Sequence, residues 1–345
     1  MPYGPILIVD DEPTNLAILH QILKDEHRLM LARNGLEALE LAGKHHPSLV
    51  LLDIQMPDMD GYAVCRALKA NPATEAIPVI FITTLSELEK EEAGFDAGCV
   101  DYLIKPVYPR IVRARVRTHL SLVQTKLLER TYGEAIAMLG KAGHYNDSDT
   151  GLHIWRIAAY ARHLAETIGW SKEDCVLLEQ AAPMHDTGKI GIPDSVLRKP
   201  GQLDADEWAI MRTHCRIGYE ILSTSDAPVF VLAAEVALRH HEKWDGSGYP
   251  DGLSGEAIPE SARIVALVDV FDALTMKRPY KDAWPLEQAL ETLRNGAGRH
   301  FDPSLVDAFE TCLPRILEIK ASWDSREARS PGLDVATAIP CFNSR

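Results

Sequence analysis

Short apolar runs at residues 6–9, 49–52, 79–82 and 100–103 punctuate the first 120 residues, each bounded by turn or acidic residues. Such runs are too short for helices, and apolarity at successive positions fits strands buried on both faces of a parallel sheet. Helical periodicity lies between them. Leu16, Leu19, Ile22 and Leu23 form one stripe, and Leu36, Leu39 and Leu41 follow Gly35 in another. Strand–helix alternation of this kind predicts a doubly wound α/β domain. A further strand is expected at residues 28–32, where the apolar signal is weak.

From Pro109 to about Met138 the chain has no Pro after the start and no Gly before Gly133. Ile111, Val112, Val116, Leu120, Val123, Leu127 and Leu128 recur every three to four residues, which predicts a long helix running out of the first domain. It reads either as a surface connector or as a dimer seam. Beyond residue 140 the strand pattern disappears and helical runs follow at residues 153–168, 229–239 and 263–274, interrupted by a Gly/Pro-rich loop at 244–259. The organisation expected is a first α/β domain (a five-stranded parallel sheet) over residues 1–122, a helical linker over 123–142, an all-α domain over 143–322, and an irregular tail over 323–345.

A chain of 345 residues with 46% apolar side chains has room for two cores. A net charge of −14 argues against DNA binding, which needs a basic face. The six cysteines form no C-x-x-C pair and read as buried or free thiols of a reducing compartment. The N-terminus lacks signal-peptide character and no stretch matches a membrane span, so a cytoplasmic location is expected.

Two groups of residues carry chemistry. In an open parallel sheet the carboxyl ends of the strands form the binding crevice. Asp10, Asp11 and Glu12 follow the first strand, Asp53 the third, Thr83 ends the fourth and Lys105 follows the fifth. Carboxylates gathered there suit Mg²⁺. Asp53 would then be an oxygen nucleophile toward a phosphoryl group, with Lys105 and Thr83 stabilising the product. The second group is Asp149, His153, His185-Asp186, His214, His240-His241 and Asp269. Imidazole and carboxylate suit Fe, Mn or Zn, and the number of ligands exceeds one tetrahedral site, so two or three metals are expected. Paired metals stabilise the attacking and leaving oxygens of a phosphoryl displacement. Lys189, about one turn beyond the His-Asp pair, is placed to stabilise charge or donate a proton at the scissile phosphate.

Residues 5 to about 120 resemble the receiver domain of two-component response regulators through ILIVDDE (6–12), LLDIQMPDMDG (51–61), Thr83 and DYLIKP (101–106). The resemblance implies phosphorylation of Asp53 by a sensor histidine kinase, Mg²⁺ at Asp10, Asp11, Asp53 and the Gln55 carbonyl, and a switch formed by Thr83 and Tyr102. Thr84 departs from the small residue usual there. Residues 149–310 resemble the HD-GYP subfamily of HD-domain phosphohydrolases through HDTGKIGIPD (185–194), HHEKWDGSGYPDGLSG (240–255), DVFDALTMKRPYK (269–281) and HFDP (300–303). That implies hydrolysis of cyclic di-GMP to the linear dinucleotide or GMP at a bi- or trinuclear Fe or Mn centre ligated by His153, His185, Asp186, His214, His240, His241 and Asp269. Asp149 stands where some members have a third-metal Glu; it either reaches a third metal or leaves the centre binuclear, and three is favoured here. Gly248, Tyr249 and Pro250 form the namesake loop, expected to meet substrate or a partner such as a GGDEF-type signalling protein. Arg278 and Lys281 are expected on the second phosphate and ribose. The rival readings are another cyclic dinucleotide or mononucleotide as substrate, and a non-enzymatic adaptor. Homodimerisation and the sign of phosphorylation control stay open.

Overall fold

The computed structural model describes residues 4–84, 91–144, 153–276 and 283–329. The chain divides into two compact units, residues 1–129 and 130–345.

In the first unit, β1 (Ile6–Val9), β2 (Leu29–Ala32), β3 (Leu49–Asp53), β4 (Val79–Thr83) and β5 (Asp101–Ile104) form one parallel sheet in the order β2-β1-β3-β4-β5. Alternation sorts the side chains of each strand between two cores. Leu7, Val9, Val50, Leu52, Val79 and Phe81 face α2 (Gly35–His45) and α3 (Gly61–Ala70). Ile6, Ile8, Leu49, Leu51, Ile80 and Ile82 face α1 (Pro13–Leu23) and the first part of α5 (Pro109–His144). A short α4 spans Glu91–Asp96. The expected sheet is therefore present. Its second strand is hard to read in sequence because β2 is an edge strand, with Leu31 exposed. The fifth strand lies one residue later than expected. Asn34 and Asp60 cap α2 and α3 by accepting the backbone N–H of Glu37 and Ala63.

Helix α5 buries Val112, Val116 and Leu120 in the first unit, and Ile136 and Ala137 in the second. Leu122, Leu127 and Leu128 are exposed. The second unit thus begins before residue 143, where sequence reasoning started it.

The second unit is helical: α6 (His153–Thr167), α7 (Lys172–Ala181), α8 (Asp194–Leu197), α9 (Ala205–Arg212), α10 (His214–Leu222), α11 (Pro228–Arg239), α12 (Glu260–Thr275), α13 (Leu286–Gly296) and α14 (Pro303–Arg329), with 3₁₀ turns at Ala182–Met184, Thr187–Gly191 and Gly255–Ala257. Tyr160, Phe271 and Phe309 pack edge-to-face in its main core. The irregular tail expected from residue 323 is corrected here: α14 continues to Arg329 and Trp323 is buried, so apolar packing carries the helix past its polar surface. Among the described residues no helix is long and apolar enough to cross a membrane. The described cysteines, Cys65, Cys99, Cys175, Cys215 and Cys312, are buried, and none of them forms a disulfide with another.

Candidate metal centre and phosphoacceptor pocket

The ends of β1, β3 and β5 bring one acidic pocket together. Asp10, Asp11 and Asp53 each offer a carboxylate oxygen within 4.8 Å of the others. Lys105 Nζ reaches Asp53 Oδ1 at 2.8 Å and Asp10 Oδ2 at 3.1 Å. Burial pushes the Asp53 carboxyl up to about 6, against the pull of the Lys105 hydrogen bond, with Asp10 adding to the rise. A divalent cation at the three acids would relieve that repulsion, so the residues fit Mg²⁺. Thr83 is buried at the end of β4, and Tyr102 packs its ring on Phe81 and Phe95 at centroid distances of 5.8 and 5.4 Å. Gln55 follows β3 with an exposed side chain.

The second unit gathers seven of the expected ligands into two donor groups. Asp186, His214, His240 and His241 form one; His153, His185 and Asp269 form the other. Asp186 stands between them. Its Oδ1 lies 3.4 Å from His214 Nε2 and 3.7 Å from His240 Nε2, while its Oδ2 lies 3.3 Å from His185 Nε2 and 2.8 Å from Lys189 Nζ. Asp269 Oδ1 is 3.5 Å from His153 Nε2.

Helix ends aim the imidazoles. The last carbonyls of a helix lack intrahelical partners. His185, after Ala182–Met184, donates Nδ1–H to the Ala182 carbonyl at 2.8 Å. His214, just after α9, donates to Met211 at 2.7 Å. His240, capping α11, donates to Val236 and Ala237 at 3.0 and 3.1 Å. His153 Nδ1 meets Asp272 Oδ2 at 2.6 Å. With Nδ1 engaged, each ring turns a Nε2 lone pair toward the carboxylates, which is the tautomer a metal needs. His240 Nε2 is buried without a hydrogen-bond partner among the described residues. That orphaned nitrogen and the converging donor set fit bound metal.

Electrostatics agrees. Burial outweighs the attraction of Asp186 and brings His214 down to about 4; burial and the neighbouring His240 hold His241 well below the usual imidazole range. Both rings are neutral ligands near pH 7. At His185 burial also opposes charge, but the Asp186 carboxylate outweighs it and raises the imidazole, so a metal there displaces a proton.

Three residues that sequence reasoning left without a role complete the centre. Asp272 is fully buried and accepts Arg156 Nε at 2.8 Å and Nη2 at 3.0 Å besides His153. A carboxylate three residues beyond Asp269 in the same apolar helix is costly to bury unpaired, a signal that marks Asp272 without naming its partner. Glu242, next to the histidine pair, is buried and accepts the backbone N–H groups of Asp251 and Leu253 at 2.9 and 3.0 Å, closing the Gly/Pro-rich loop.

That loop lies on the centre. The Tyr249 ring stacks on His241 with centroids 4.7 Å apart and an interplanar angle of 28°. Gly248 makes this approach feasible, since a Cβ there would stand 2.3 Å from Lys243 N. Pro250 follows within the same loop. At the other side, a Cβ on Gly143 near the end of α5 would stand 2.7 Å from the Asp186 carbonyl oxygen. Asp149, Arg278 and Lys281 lie outside the described residues.

Residues 6–117 match the response regulator receiver domain, and residues 123–305 match the HD domain. The chain belongs to the HD-domain response regulators. This HD-domain regulator is 41% identical over 350 residues to the cyclic di-GMP phosphodiesterase response regulator RpfG of Xanthomonas campestris pv. campestris, covering 95% of this chain and 92% of that one. A Vibrio cholerae protein named a probable cyclic di-GMP phosphodiesterase is 42% identical over 338 residues, 88% of this chain and 76% of its own length. A 3'3'-cGAMP-specific phosphodiesterase 2 of the same organism is 46% identical over 195 residues, 56% of this chain and 37% of its own. An HD domain implies a metal site, and the two donor groups are where this regulator would hold it.

Proposed function

We propose that this protein hydrolyses cyclic di-GMP in its HD domain and that phosphorylation of Asp53 by a sensor histidine kinase gates the reaction. The similarity to RpfG along 95% of the chain is the observation that carries the substrate. The donor groups support two Fe or Mn ions, one at Asp186, His214, His240 and His241 and one at His153, His185 and Asp269, with Asp149 the candidate ligand for a third. Mg²⁺ is the proposed ion of the receiver pocket, held by Asp10, Asp11, Asp53 and the Gln55 carbonyl, with Thr83 and Tyr102 as the switch.

Metal ions held by such ligands supply Lewis-acid activation of water and neutralise charge on the phosphoryl group. Hydrolysis adds water to one phosphorus, breaks its bond to the 3′ oxygen and returns a proton to that oxygen, giving linear pGpG; a second round gives GMP. Lys189, held at 2.8 Å from Asp186 and partly exposed, is the proposed proton donor or charge stabiliser for the departing oxygen. Arg278 and Lys281 are proposed for the second phosphate. The Gly-Tyr-Pro loop, the exposed Leu127 and Leu128, and partner or homodimer contacts belong together as proposals for assembly.

A second reading has a specific basis, since 195 residues of this chain are matched at 46% identity by an enzyme named for 3'3'-cGAMP. Parallel turnover of cyclic di-GMP and 3'3'-cGAMP by anaerobically purified protein, with metal measured on the same sample, tests both. Preferential cleavage of cyclic di-GMP, abolished in His185→Ala/Asp186→Ala, supports the proposal. Metallated protein that leaves cyclic di-GMP intact overturns it.

A further inference from the structure

We propose that Arg212 is a substrate-binding residue, which takes the phosphate of the cyclic dinucleotide that is not being cut. The inference rests on the substrate reading above and adds a residue to it.

Arg212 ends α9, two positions before the ligand His214, and its guanidinium lies over the Tyr249 ring at 5.2 Å. The same ring stacks on the ligand His241 at 4.7 Å and stands 6.4 Å from His214. An unbroken row, imidazole to phenol to guanidinium, therefore leads from one donor group to an exposed cation. The two centroid distances, 4.7 Å and 5.2 Å, place the guanidinium carbon no more than 9.9 Å from the His241 ring. The burial of Tyr249 pushes its phenol up, so it stays neutral and serves as a platform.

The neighbouring arginines are committed elsewhere. Arg216 and Arg239 both pair with Asp251, and Arg239 also with Glu242. Arg263 pairs with Asp302, and Arg156 with Asp272. Among the described residues no carboxylate pairs with Arg212. In a chain of net charge −14, an arginine beside a phosphoryl site with no acidic partner is suited to an anionic ligand. A guanidinium presents a planar fork that matches two phosphate oxygens, and its contact with an aromatic face limits the rotamer freedom lost on binding. Lys189 lies at the Asp186 carboxylate between the donor groups, so the two cations divide the substrate: Lys189 at the scissile phosphate, Arg212 at the other.

Bis(p-nitrophenyl) phosphate carries one phosphate and reports the metal centre alone. Its turnover by full-length Arg212→Ala and Arg212→Lys, with metal content measured, is compared with wild type, and cyclic di-GMP and cyclic di-AMP are titrated as competitors. We expect Arg212→Ala to keep its metal and its nitrophenyl turnover, to lose about tenfold in affinity for both cyclic dinucleotides, and Arg212→Lys to recover part of the loss. A loss confined to cyclic di-GMP shows base recognition and overturns the phosphate assignment. Equal losses for nitrophenyl ester and dinucleotides, or no loss at all, also overturn it. A wild-type enzyme that cleaves the nitrophenyl ester but ignores both dinucleotides overturns the substrate reading itself and takes this inference with it.

Discussion

Asp272 holds the Nδ1 edge of His153 at 2.6 Å and thereby turns the opposite nitrogen toward Asp269. The same carboxylate receives two bonds from the buried Arg156, so ring orientation, carboxylate and guanidinium form one locked unit. Such outer carboxylates commonly contribute 10–100-fold in metal affinity or activity, roughly. Asp272→Asn should therefore lower metal occupancy at the His153 group and cut turnover by about that factor. Metal analysis beside steady-state kinetics checks it; full occupancy with wild-type rates would sink the assignment.

The same carboxyl gives a pH signature. Burial works against its ionisation, but the bonds from His153 and Arg156 win and hold it down at about 2. A depressed folded-state pKa stabilises the fold above the unfolded value of about 4 and loses that stabilisation as pH falls toward 2. For metal-free protein the loss should be about 2–3 kcal/mol over that window. Asp272→Asn should show a flatter acid limb, and also a general destabilisation of about 3 kcal/mol from leaving the Arg156 charge buried without its partner. Denaturant unfolding between pH 2 and 5 distinguishes the two effects, and parallel acid limbs would refute the account.

Because Asp186 offers one oxygen to each donor group, it should be the ligand whose loss empties both. Asp186→Asn is expected to remove all metal, whereas Asp269→Asn should leave the ion of the His214, His240 and His241 group in place. Inductively coupled plasma measurement of metal per chain decides this. Equal stoichiometry in the two variants would mean that Asp186 does not join the groups.

Gly248→Ala is expected to be costly although the loop is partly exposed. The new methyl meets backbone atoms of Lys243 and Glu242, at 2.3 and 2.6 Å, and neither is the end of a flexible side chain. Relief requires the loop to shift, with a loss of about 2 kcal/mol and of the Tyr249 contact on His241. Thermal denaturation and kcat/KM should fall together; a variant with unchanged melting and activity would show that the loop is free to move.

Much of this was legible in the sequence because the chemistry is local. The strands carrying Asp53 and Thr83 are buried on both faces, and the end of each unbroken apolar run marks the residues that reach the crevice. The histidines and aspartates that the fold gathers into two donor groups were readable by type and spacing. What escaped depends on contacts distant in sequence. Asp272 serves a histidine 119 residues earlier, and nothing near it in the chain signals that partner. Arg212 is unremarkable in sequence and gains meaning only when the loop places Tyr249 beneath it. The helical tail end was missed for a related reason: polarity beyond residue 322 hides Trp323, whose burial extends α14.

The approach of Gly143 to the Asp186 carbonyl makes the last turn of α5 a fulcrum of bare backbone. A side chain at such a place would yield by changing rotamer; backbone against backbone has no such slack. The end of α5 therefore lies directly against the backbone of Asp186, the residue that stands between the two donor groups. If α5 carries the receiver's signal, what it transmits is helical phase, an angle of about 100° per residue, and the response of the metal centre would depend on the rotational setting of the helix more than on the identity of its exposed side chains.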